Sequence, residues 1–174
     1  MRKLVFYGAI SIDGYLADQN HDLEWLTTTP VGEGTTYDAF IETIDTTIMG
    51  RKTYEVTKGL LDGELLYPDK ENYVLSRTLP NNLPDAHVLS EEILPFIQQL
   101  QQRPGKDIWI VGGGSALKPL LEADMIDEWY IQITPVLLGK GIRLFQEGDY
   151  SQRVKLIGTK TFGEFVELHY KRMF

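Results

Sequence analysis

Three consecutive glycines, Gly112 to Gly114, constrain this chain more than any other feature. They sit inside DIWIVGGGSALKPLL, Asp107 to Leu121. A short apolar run, Ile108 to Val111, precedes them, and Ser115 opens a helix-compatible segment. A strand that stops at glycines and continues as a helix brings backbone close to an anion. No Cβ stands in the way, and the free N–H groups of the first helical turn face the charge. The same pattern also serves as a plain tight turn between a buried strand and a helix. It is not the dinucleotide fingerprint G-x-G-x-x-G, because Leu117 stands where the last glycine belongs.

The rest of the chain repeats the strand-then-helix order. Leu4 to Ile10 is β-like and ends at the Asp13-Gly14 turn signal. Tyr15 to Gly34 reads mostly as loop, broken by Pro30, Gly32 and Gly34. Thr35 to Ile44 suits a short helix, with Tyr37, Phe40, Ile41 and Ile44 on one face. Thr46 to Met49 and Asn72 to Ser76 read as strands; Arg51 to Lys58, Glu91 to Gln102 and Ser115 to Ala123 read as helices. Glu128 to Thr134 alternates, and Val154 to Thr161 pairs with Val166 to Lys171 around Gly163. Alternating strands and helices imply a parallel sheet, and strands alone at the end imply an antiparallel edge. The fold class is therefore a three-layer α/β/α domain with a mixed, mostly parallel sheet. Asn81 to Asp85, flanked by Pro80 and Pro84, reads as a loop, so residues 1–174 are expected to form one domain.

Composition removes several functions. With 174 residues, 43% of them hydrophobic, the chain can bury a sizeable core. A net charge of −8 argues against non-specific binding to nucleic acid or to an anionic membrane. There is no cysteine, hence no disulfide, thiolate nucleophile or cysteine-ligated metal, and a cytoplasmic location is expected. His21, His87 and His169 lack ligand spacing, so no metal site is expected. The apolar run after Met1 is too short for a signal peptide or membrane span.

Two further strand ends offer anion donors. In IMGRKTYE, Ile48 to Glu55, Gly50 ends a strand and Arg51, Lys52 and Thr53 open a helix. Arg51 presents a planar fork, Lys52 a point charge and Thr53 a hydroxyl. Two cations there oppose the helix dipole, which disfavours reading them as a merely solvated turn. Leu75, Ser76 and Arg77 close the next strand in the same way. All three places lie outside the carboxyl ends of strands, where open α/β sheets bind ligands.

The order ISIDG, EWL, IMGRKTYE, VLSR, IWIVGGGSAL and VLLGKGIRLF resembles the dihydrofolate reductase superfamily. The branch it is most similar to is named for the C-terminal reductase domain of bacterial bifunctional riboflavin-biosynthesis enzymes. The resemblance implies a sheet of about eight strands, a dimer, and NADPH as cofactor. It implies reduction of a small heterocyclic or imine-bearing substrate, as in 5-amino-6-(5-phosphoribosylamino)uracil reductase. By matching motif, Gly50, Arg51, Lys52 and Thr53 would hold nucleotide phosphates. Leu75, Ser76 and Arg77 would flank the adenosine 2′-phosphate. Gly112, Gly113, Gly114, Ser115 and Ala116 would meet the pyrophosphate, and Ala9 and Leu16 the nicotinamide carboxamide. Dihydrofolate reductase, a non-catalytic nucleotide sensor of the same fold and a homodimeric structural protein stand as alternatives.

The substrate end is less defined. Riboflavin reductases carry a Lys after Asp-Gly where this chain has Tyr15, which makes Tyr15 a substrate candidate. Trp25 could stack on a flat substrate or anchor the loop. Asp13 could orient the loop beside the nicotinamide or simply make the turn. Asp38 is the carboxylate on the first helix that could aid protonation, though neither it nor Glu42 aligns with the dihydrofolate reductase carboxylate without a gap.

Overall fold

The computed structural model describes residues 1–173. In chain order the elements are β1 (Leu4–Ser11), β2 (Tyr15–Ala17), α1 (Glu24–Thr27), α2 (Tyr37–Ile41), β3 (Ile44–Gly50), α3 (Arg51–Leu61), β4 (Glu71–Leu75) and β5 (His87–Leu89). Then come α4 (Ile93–Gln102), β6 (Asp107–Gly112), α5 (Gly114–Glu122), β7 (Glu128–Thr134), β8 (Ile142–Arg143), β9 (Val154–Phe162) and β10 (Phe165–Arg172). Eight strands form one sheet in the order β5-β4-β3-β6-β1-β7-β10-β9. Pairing is parallel from β5 through β7, and antiparallel where β10 joins β7 and β9. This is the mixed, mostly parallel sheet with an antiparallel C-terminal edge that the strand pattern predicts.

β1 is buried on both faces, as a central parallel strand must be. Leu4, Phe6 and Ile10 point into a core with Ile93, Ile97 and Leu100 of α4 and Leu117 and Leu120 of α5. Val5 and Tyr7 point the other way, onto Phe40 of α2 and Trp109 of β6. Tyr54 of α3 packs on that second side too, against Met49 and Val74. The sheet is thus the middle of three layers.

Local differences from the sequence pattern have simple causes. The stretch expected to be mostly loop, Tyr15 to Gly34, holds β2 and α1. β2 forms because Ile142–Arg143 comes from far along the chain to pair with it. The first helix covers only Tyr37–Ile41, and Ile44 starts β3 instead of ending that helix. Ile44 is fully buried either way, so its apolar character fitted both periods. β5 is three residues long, too short for any periodicity, and exists through its pairing with β4. Helix α5 begins at Gly114, one residue before the expected Ser115.

Candidate functional site

The sheet splits at its centre. β1 pairs with β6 only from Leu4↔Ile108 to Phe6↔Ile110, whereas its pairing with β7 continues to Ser11↔Thr134. Beyond Phe6 and Ile110 the two strands part, and a cleft of about 360 Å³ opens between Gly8–Ala9 of β1 and Val111–Gly112 of β6. A second groove of about 590 Å³ runs outward over the ends of β3 and β4. Lys52, Thr53, Gly113 and Ser115 line both, so the two form one continuous channel. It lies at the carboxyl ends of parallel strands, where strand order reverses around β1, β6 and β3.

The channel gathers several groups that attract an anion, with one carboxylate, Glu91, at its outer groove. Gly50 is the N-cap of α3, and Gly113 is the N-cap of α5. Neither helix has an acidic residue in its first turn, so two positive dipole ends converge uncompensated by their own first turns. Arg51, Ser76 and Arg77 line the outer groove together with Ser90. Arg51 is held in place from one turn on, donating Nη1–H to Glu55 Oε1 at 2.9 Å, and Lys52 Nζ stands 3.8 Å from the other Glu55 oxygen. Ser76 Oγ accepts the backbone N–H groups of Thr78 (3.1 Å) and Leu79 (3.0 Å), which shapes the loop after β4.

The glycine turn fits an elongated polyanion. Gly112 has φ +141°, in the region that side chains avoid, and the Gly112–Gly113 peptide is cis. A Cβ on Gly113 would stand 3.5 Å from Thr53 Oγ1, in the gap between the turn and α3. The cradle is therefore backbone because a side chain would fill it. Three cations, several hydroxyls and two helix N-termini along the channel match the phosphates of a dinucleotide such as NADPH. The narrower apolar end matches its flat ring.

Every residue that the sequence singled out as a candidate for cofactor binding lines this channel. Gly50, Arg51, Lys52, Thr53, Leu75, Ser76, Arg77, Gly113, Ser115 and Ala116 line the outer groove. Ala9, Leu16, Gly112 and Gly114 line the inner cleft.

The substrate-side candidates are placed differently. Tyr15 is buried, its hydroxyl donating to Gly139 O at 3.2 Å and its ring under the Arg143 guanidinium at 5.3 Å. It ties β2 to β8 and does not line the cleft, whereas its neighbours Leu16 and Ala17 do. Trp25 donates Nε1–H to Asp22 O at 3.1 Å, as a loop anchor would, while Leu23 and Leu26 beside it face the cleft. Asp38 is exposed on α2 and lines neither part of the channel. Asp13 accepts hydrogen bonds from Ser11 Oγ (2.6 Å), Gly139 N (2.7 Å) and Leu138 N (3.1 Å). The Ser11 bond first, then those backbone donors, bring its carboxyl down to about 2. It is a loop clamp that stays ionised at neutral pH.

Sequence reasoning passed over His21, Val56, Thr57, Ile142 and Gln146, all of which line the inner cleft. Val56 and Thr57 follow from helical spacing after Thr53, at i+3 and i+4. His21 and Gln146 carry no local signal, since loop geometry brings them in.

A family model described as the RibD C-terminal domain matches residues 2–168. The uncharacterized protein YwjB of Bacillus subtilis (strain 168) is 41% identical over 174 residues, 98% of each chain. A Shewanella sp. PV-4 protein named for riboflavin biosynthesis has a crystal structure that superposes with a TM-score of 0.84 at 28% identity, covering all of both chains. At the level of fold alone, dihydrofolate reductase from Enterococcus faecalis, solved with NADP(H), superposes with a TM-score of 0.67 at 18% identity, over 98% of this chain and 96% of that one.

Proposed function

The chain belongs to the RibD C-terminal domain family, and from that premise we propose that it is an NADPH-dependent reductase of a small substrate. One observation carries the reading: the β1–β6 split opens onto two glycine-capped helix N-termini and three cations in one channel. Gly113, Gly114 and Ser115 would hold the pyrophosphate, and Gly50 to Thr53 the neighbouring phosphate. Arg51, Ser76 and Arg77 would hold the 2′-phosphate, with Leu75 and Ala116 against the adenosine. Ala9 and Leu16 would face the nicotinamide carboxamide across the cleft from Gly112. Bound there, NADPH supplies a hydride. The protein's part is to fix the ring against the substrate and to keep water out.

Calorimetric titration with NADPH and NADH tests this. Charge-assisted hydrogen bonds to the 2′-phosphate are each worth about 1.5–3 kcal/mol, so NADPH should bind about ten-fold or more tightly. Arg77→Ala should weaken NADPH and leave NADH unchanged. Equal affinities for the two cofactors would remove the 2′-phosphate assignment.

The same reading includes a homodimer in the cytoplasm. The sheet face formed by β7, β10 and β9 carries an apolar groove of about 520 Å³ lined by Trp129, Ile131, Phe145, Leu168 and Tyr170. Leu156 and Val166 add exposed apolar surface on this edge. Such surface supports burial against a second copy.

A further inference from the structure

Once the phosphate-side residues are set aside, the remaining walls of the inner cleft define what can be reduced there. They include the apolar Leu23, Leu26 and Val56, with three polar side chains, Thr57, Gln146 and His21. Among the described residues no carboxylate lines this cleft, and the one Lys or Arg that does, Lys52, also lines the outer groove. With the phosphate-side groups engaged by the cofactor, a hydroxyl, a carboxamide and an imidazole on apolar walls leave no fixed cation to pair a substrate phosphate, whose burial would then be costly. It fits a compact neutral body with few polar atoms.

His21 supplies the cleft's imidazole, a group that can both give and accept a proton. Its presence there is the work of a tight turn. The Asp18 carboxylate accepts the N–H groups of Asn20 (2.8 Å) and Asp22 (2.9 Å), while His21 N donates to Asp18 O at 3.1 Å. The turn holds His21 at φ +62°, in the left-handed region that histidine and asparagine both enter.

Resting on the reductase reading above, we propose that the substrate is a neutral, compact C=N or C=O compound and that His21 is the catalytic proton donor. A hydride from the bound cofactor adds to the electrophilic carbon. The π pair of C=X moves to X, and X takes the proton from the His21 imidazolium. The products are the saturated C–H, X–H compound and oxidised cofactor. The neutral imidazole regains its proton from water at the cleft mouth, leaving the protein unchanged.

Three measurements on the full chain test this. Calorimetry with NADPH on the native protein and on His21→Asn should give affinities within about three-fold; a native protein that does not bind NADPH overturns the reductase reading itself. With binding established, 3,4-dihydroisoquinoline and phenylglyoxal are offered as neutral imine and carbonyl probes. The native protein should consume NADPH with at least one of them, and His21→Asn, which tolerates the same backbone, should be about 10²–10⁴-fold slower. Third, the chain has only three histidines, so its imidazole C–H spectrum is simple, and His21→Asn identifies the His21 signal. Adding the dihydroisoquinoline to protein saturated with NADP⁺ should move the His21 signal and leave those of His87 and His169 in place. Turnover undiminished in His21→Asn, or an unmoved His21 signal, overturns the role of His21. Failure of both neutral probes in NADPH-binding protein overturns the substrate class.

Discussion

Gly113 and Gly114 are adjacent and do different work. A Cβ on Gly114 would lie 2.6 Å from the backbone oxygen of Arg143, so that glycine lets α5 pack against the β8 segment. A Cβ on Gly113 meets only Thr53 Oγ1 at ordinary distance, and its backbone, φ −81° and ψ −177°, is extended and suits a β-branched residue. Gly113→Val should therefore fold normally by circular dichroism yet bind NADPH about ten-fold or more weakly, through lost backbone contact with phosphate. Gly114→Ala should instead lose about 1–3 kcal/mol of stability in denaturant unfolding, from overpacking. Asp13 gives a second residue-level expectation. Its folded value near 2 lies below the unfolded value of about 3.9. Its stabilisation of the Leu138–Gly139 loop is thus present above that unfolded value and lost as pH falls through about 2. Carboxyl NMR should show no Asp13 titration between pH 4 and 8, and no arm of an activity profile in that range should belong to it.

At the scale of elements, Asp85 links three segments that the channel depends on. Its carboxylate is almost wholly buried and accepts Lys58 Nζ (2.7 Å) and Tyr54 Oη (2.8 Å) from α3, and the Leu66 amide (2.8 Å) from the following loop. Asp85→Ala leaves Tyr54 Oη and the Leu66 amide without this acceptor, and Lys58 with only the Glu64 carbonyl, and should cost about 1–3 kcal/mol, read as a lower thermal midpoint, with faster hydrogen exchange at Leu66. None of this was visible in the sequence, where Asp85 merely closed a Pro-flanked loop. What was visible were elements with strong periodicity or hard stops. α4 showed its stripe of Ile93, Phe96, Ile97 and Leu100, and β3 and β6 ended in glycine. α4, β3 and the turn after β6 line the outer groove, so the place of that groove was legible too. β2 and β5 were not, because each is a three-residue strand that exists only through pairing with a distant partner. The substrate end was illegible for the same reason: β2–β8 pairing turns Leu16 and Ala17 inward and Tyr15 away.

Across the whole molecule, the channel and the apolar face of β7, β10 and β9 belong to one sheet. The apolar face of β7, β10 and β9 should be covered in solution. Light scattering at micromolar concentration should give twice the chain mass of 19.9 kDa, and Phe145→Glu should shift the protein to monomer. A monomeric native protein would leave that face without its proposed occupant. The channel at the centre of the sheet carries the principal claim, and a crystal soaked with NADPH tests it directly. Density should run from Arg51, Ser76 and Arg77 over the Gly113–Ser115 turn, and end with the nicotinamide ring in the cleft between Ala9 and Gly112. An empty channel at saturating NADPH, or cofactor density on another surface, would contradict the account.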